Sequence, residues 1–151
     1  MRVVTVVRAE SVLATALIAV VAALMLVGVV SHTPIRHAVQ VVPGIAVLGL
    51  ALARLRWARF AAIAIFLFWL CVMALIWLDL LGLARVVSGH FTRSEVALTL
   101  VIGLGSAVGL VAASRVRSSS RWQARLAAFA AAAALQVGAM WLSLQPMVAT
   151  R

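Results

Sequence analysis

Three histidines, three carboxylates and one cysteine are the whole stock of ordinary acid, base and metal-ligating chemistry in this 151-residue chain. His32, His37 and His90 lie in or beside the connections between apolar stretches, and Asp79 and Glu95 lie near the same connections. Neutral imidazoles and a carboxylate at about 2 Å from a cation make a metal site. His32, His37 and His90 are therefore the metal candidates. Their separations match no short helical metal motif, and a solvated histidine at a membrane interface is the simpler reading. Neither a metal nor a cofactor is expected.

Asp79 sits within Trp77-Leu78-Asp79-Leu80-Leu81. A carboxylate in hydrocarbon is costly, and where one persists it often couples ions or relays protons. Asp79 is the candidate for ion coupling. Its position at the end of an apolar stretch also allows it to meet head-group water or an arginine such as Arg85. Cys71 has no second thiol for a disulfide or a CxxC site, and the expectation is a buried small hydrophobe. The chain carries no GxSxG, HExxH or glycine-rich phosphate loop. Ser106 and Ser143 have no base nearby in sequence. A non-catalytic protein is expected.

The elements that must hold these residues are set by composition. Hydrophobic residues make up 66% of the chain and charged residues 11%, against about 25% charged in a soluble domain. A globule in water could not cover its surface with so few polar side chains. A lipid bilayer must cover the rest. All thirteen basic positions are arginine, and tyrosine is absent. Asparagine and lysine are missing too, the pattern of GC-rich codons and hence of a bacterial source. The net charge of +10 would suggest nucleic acid in a soluble protein. These arginines instead flank apolar segments, where lipid head groups are their partners, and no nucleic acid is expected.

Five apolar segments predict an all-α polytopic bundle, a single integral-membrane domain over 1–151 with spans at 12–30, 34–53, 60–78, 96–113 and 126–144. The first is about 19 residues, close to the roughly 30 Å hydrocarbon core at 1.5 Å per residue. It is too long for a signal-peptide core and lacks a small-x-small cleavage site. Thr33-Pro34 reads as an N-cap and first helical residue of the second span, and Pro43-Gly44 predicts a kink within it. Thr92-Arg93-Ser94-Glu95 reads as a capping box for the fourth, and Ser120-Arg121-Trp122-Gln123 repeats that logic for the fifth. Phe66, Phe68, Trp69 and Trp77 are expected to form lipid-facing or packing surface. The alanine-rich fifth segment inserts least securely, so four spans with a C-terminal interfacial helix is the alternative. Trp122 and Trp141, 19 residues and about 28 Å apart, favour five by placing one indole in each interfacial belt.

With five spans the arginines divide unequally. Arg2, Arg8, Arg54, Arg56, Arg59, Arg115, Arg117, Arg121 and Arg125 fall on one side, and Arg36, Arg85, Arg93 and Arg151 on the other. The positive-inside rule then predicts a bacterial inner-membrane protein with its N-terminus in the cytoplasm. Small-residue stripes at Gly105, Gly109 and Ala113, and at Ala130, Ala134 and Gly138, are candidate helix-packing faces, toward a helix of the same chain or of another.

Beyond the bilayer, the expected partners are copies of the chain or a larger membrane complex. The first functional expectation is a non-catalytic packing or accessory component. The alternative is a small transporter or channel-like protein using Pro43-Gly44 and Asp79, and a further one is outer-face metal binding.

Overall fold

In the computed structural model the chain is an all-α bundle, described over residues 2–85, 91–116 and 120–149. Helices α1 (Arg2–Val30), α2 (Pro34–Leu52), α3 (Ala58–Leu80), α4 (Arg93–Arg115) and α5 (Trp122–Ser143) are followed by one short turn of helix, α6 (Pro146–Ala149). Five of them are long and apolar enough to cross a membrane. The element count follows the apolar segments. The first helix begins earlier than its span, because Arg2 to Ser11 continue the helix toward the interface.

Neighbours close into a ring in the order α1, α4, α3, α5, α2 and back to α1, with α2 and α3 also meeting across it. Each long helix turns one stripe inward. On α1 the stripe is Leu13, Ala16, Leu17, Val20, Ala23 and Leu24, all buried, at the three- and four-residue spacings that keep side chains on one helical face. On α3 it is alanine-rich at the start and bulky in the middle, with Ala61, Ala62, Ile65, Phe66, Trp69 and Met73 buried. Phe66 and Trp69 are packing residues, and the Phe68 ring meets Trp69 edge-on at 5.4 Å between centroids, the arrangement aromatic quadrupoles favour.

The capping box at α4 forms as read: the Thr92 hydroxyl accepts from the Glu95 N–H, and the Glu95 carboxylate accepts from the Thr92 N–H at 2.7 Å. Two other start signals work differently. Thr33 precedes α2, and Pro34 opens it, but the Thr33 side chain makes no capping bond. Its hydroxyl pairs with Ser31 Oγ at 2.8 Å and His37 Nδ1 at 3.3 Å instead. Helix α5 starts one residue later than the Ser120 box places it. Arg121 is the N-cap residue and no side-chain cap is made. Helix α2 continues through Pro43 as one element.

Cys71 corrects its expectation. It is exposed on the outside of α3, not buried. In a lipid-bound helix both faces are apolar, so an apolar run around a cysteine does not reveal which way it points.

Candidate functional site

Three of the buried polar side chains meet at the α2–α5 contact, within the apolar body of the bundle, while Thr99 and Ser106 are buried on α4. Gln40, Gln136 and Ser143 are all buried. Gln40 Nε2 donates to Ser143 Oγ at 2.9 Å, and Gln136 Nε2 donates to the backbone carbonyl of Gln40 at 3.1 Å. Ser143 in turn donates to the Met140 carbonyl at 2.7 Å. The acceptor at Gln40 lies three residues before Pro43. Proline has no N–H, so the carbonyl left without its helical donor is that of Val39, four residues back. Gln136 donates to the next carbonyl along, as a second bond beside its place in the helical ladder. The same bond fixes the amide's orientation, because turning it over would set oxygen against oxygen. The remaining acceptor, Gln136 Oε1, is buried with no hydrogen-bond partner.

Gln40 follows the start of α2 by six residues, and Gln136 precedes the end of α5 by seven. At 1.5 Å per residue both lie about 10 Å from the same end of the bundle. At the opposite end Arg125 of α5 lies over the ring of Phe60, near the start of α3. Helix α5 therefore runs the length of the bundle alongside α2 and α3.

Two of the three histidines, His32 and His37, lie within the described residues. His32 occupies the α1–α2 turn with φ of 55° and is exposed. His37 is half-buried in the first turns of α2, where Nδ1 contacts the Thr33 carbonyl at 3.1 Å. His90 lies outside the described residues. Among the described residues no three His, Cys, Asp or Glu side chains come together to hold a metal. Asp79 is half-buried in the last turn of α3 and not at mid-depth.

Comparison with protein-family models, with characterised proteins and with solved structures finds no match. The site must speak through its own geometry.

The two small-residue stripes part company. Gly109 and Ala113 are buried, and Gly105 is half-buried. A Cβ at Gly105 would stand 3.1 Å from Val20 Cγ2 of α1, and one at Gly109 would overlap the Phe66 ring of α3. This stripe is occupied by helices of the same chain. Ala130, Ala134 and Gly138 are all exposed, and a Cβ at Gly138 would meet nothing within 4 Å. They form an open stripe on α5. A groove of about 500 Å³ also runs between α1 and α4, with Thr15, Ala16, Ala19, Leu104 and Gly105 in its walls. Its polar groups are Ser11 and Thr15 alone, so its chemistry suits an acyl chain or a helix side and not a polar substrate.

Sequence reasoning missed Gln40 and Gln136. The signal was available: each is a primary amide well inside an apolar segment, where side-chain amides hydrogen-bond between helices. Attention to acids and histidines passed over them, because an amide carries no charge to mark it.

Proposed function

We propose that this chain is a five-span bacterial inner-membrane protein with a cytoplasmic N-terminus and a non-catalytic role, assembling with copies of itself or within a larger membrane complex through the outer face of α5. The unequal arginine distribution supports the orientation. The observation that carries the assembly is the exposed stripe of Ala130, Ala134 and Gly138 on the least buried of the long helices. Small side chains let a second helix approach closely, and in lipid close packing drives association. In the stripe at Gly105, by contrast, Gly109 is filled by Phe66 of α3 and Gly105 lies against Val20 of α1.

Ala134→Leu together with Gly138→Leu leaves the bundle intact, because nothing within the chain packs against Gly138. In mild detergent, light scattering on the size-exclusion peak should give a multiple of the chain mass for the wild type and the single-chain mass for the variant, with helical circular dichroism unchanged. A wild type that elutes as a single chain, or a variant that keeps the larger mass, defeats self-assembly through α5.

A second reading, a small transporter or channel-like protein, is favoured by the buried amides beside Pro43. Polar groups at depth next to a helix that carries an internal proline are what a polar pathway requires. In proteoliposomes this reading expects a proton or cation flux that falls in Gln136→Leu and in Asp79→Asn. Absence of flux in the wild type, or equal flux in all three proteins, rejects it.

A further inference from the structure

We propose that the groove between α1 and α4 binds a phospholipid, with an acyl chain in the groove, an ester carbonyl at Thr15 and the phosphate on Arg115. The walls run from Ser11 to Ala19 on α1 and from Val101 to Val108 on α4. The α1 wall is about 12 Å long at 1.5 Å per residue, close to the roughly 15 Å that one leaflet contributes to the hydrocarbon core. The span of α1 opens at Ala9, so the groove begins near the interface and descends through that leaflet. A volume of about 500 Å³ over this length gives a cross-section of about 40 Å², roughly half that of an α-helix about 10 Å across. An acyl chain fits within it, and a helix of another chain is too wide to enter.

The groove is polar only toward the interface, with Ser11 at its mouth and Thr15 one turn deeper. Hydroxyls within helices can bond a carbonyl three or four residues back, as Thr99 and Ser114 do with Val96 and Val111. Thr15 does not. Its side chain is exposed in the groove wall, and its hydroxyl has no partner among the described residues. A hydroxyl at hydrocarbon depth without an acceptor is a cost that a lipid ester carbonyl removes, and the open groove lets a ligand reach it.

Arg115 supplies the complementary charge. It is the last residue of α4, seven beyond Val108, and seven residues are two turns of helix to within about 20°, so Arg115 continues the face that lines the groove. Val111, exposed between them, extends the apolar wall. Successive spans alternate in direction, which brings the end of α4 to the interface where α1 begins. A rise of about 10 Å from Val108 puts Arg115 in the head-group layer while Val108 stays among the chains. Arg115 is exposed and makes no hydrogen bond or ion pair among the described residues. Glu10, the acid at this end of α1, is five residues before Thr15 and about 140° around the helix from it, on another side from the phosphate. The groove lies across the ring from α5, so this binding stands or falls apart from assembly.

The test uses the full chain in a maltoside detergent, with bound lipid counted by native mass spectrometry. Dioleoylphosphatidylglycerol is titrated against dioleoylglycerol, which has the same chains and no phosphate. The wild type should bind phosphatidylglycerol more tightly, and sodium phosphate should not displace it. Arg115→Gln should weaken phosphatidylglycerol about five-fold and leave dioleoylglycerol unchanged. Thr15→Val should weaken both about three-fold. Ala19→Phe, which fills the groove from its wall, should abolish retention of both while helical circular dichroism is unchanged. Arg93→Gln, at the other end of α4, should have no effect. If Ala19→Phe does not fold, the exposed positions Thr15 and Arg115 carry the test. The proposal is overturned if the wild type binds dioleoylglycerol as tightly as phosphatidylglycerol, if sodium phosphate displaces the lipid, or if Arg115→Gln and Thr15→Val bind as the wild type does. It is equally overturned if Arg93→Gln is as damaging as Arg115→Gln, or if a folded Ala19→Phe protein keeps the lipid. A fall in particle mass by light scattering in that variant would assign the groove to a second copy instead.

Discussion

Replacing Gly109 with leucine is expected to abolish the folded bundle, and replacing it with alanine to destabilise it by about 1–3 kcal/mol, the cost of overpacking a filled core. The edge of the Phe66 ring lies where the new Cβ would stand. Phe66 is 0% exposed, and a planar ring cannot fold its far end away as a long aliphatic chain can. Relief would require α3 and α4 to separate, which also loosens Gly103 of α4 from Met73 of α3. Thermal melting in detergent, followed by circular dichroism, measures the loss. Phe66→Leu combined with Gly109→Ala should recover part of it, because the shorter side chain vacates the space, and the shortfall from additivity reports the contact. A Gly109→Ala protein that melts with the wild type would remove the close α3–α4 approach from the account of this fold.

Gln136→Glu is expected to loosen α5 from the bundle at neutral pH and to spare it in acid. The Gln136 Nε2 donor faces the Gln40 carbonyl at 3.1 Å, and an ionised carboxylate there would set one acceptor against another in a buried place. The penalty for a charged group at such depth is on the order of 3 kcal/mol on insertion scales. A protonated carboxyl restores a donor in nearly the same position. Burial and the facing carbonyl both favour the neutral form, so the folded protein holds its proton more tightly than the unfolded chain does. Stability is then fully present below the unfolded carboxyl value of about 4.3 and is lost as pH rises through the higher folded value. Gln136→Leu is the control: it removes the donor and the unpartnered Oε1 together, so its stability should not change with pH relative to the wild type. Trypsin cleavage near Arg121 and Arg125, followed from acid to neutral pH, reads the loosening. Equal protection of the Gln136→Glu protein at both extremes would show that this amide does not hold α5.

How legible the molecule was depended on the kind of signal. Ends of helices were readable because caps are local chemistry. Thr92 and Glu95 meet within one turn, and no other part of the chain is needed to bring them together. At α5 the start falls one residue beyond the Ser120 box, with Arg121 as the N-cap residue. Asp79 was correctly assigned to the end of its helix by counting apolar residues. The amides were not found, since Gln40 and Gln136 are 96 residues apart and only their meeting gives either a role.

The number of spans, the placement of arginines at their ends and the uneven division of charge were determined by sequence alone, because the bilayer imposes a thickness that any apolar helix must match. Which face of each helix turns inward was decided only by tertiary structure. Water sorts the faces of a soluble helix by polarity, whereas lipid is as apolar as a protein core and leaves both faces alike. Hence two similar small-residue stripes had opposite fates. Gly105 and Gly109 were taken up by Val20 and Phe66, and Ala113 is buried with them. Ala130, Ala134 and Gly138 stayed open to the membrane, because the shapes of neighbouring side chains, and not hydropathy, choose the contacts.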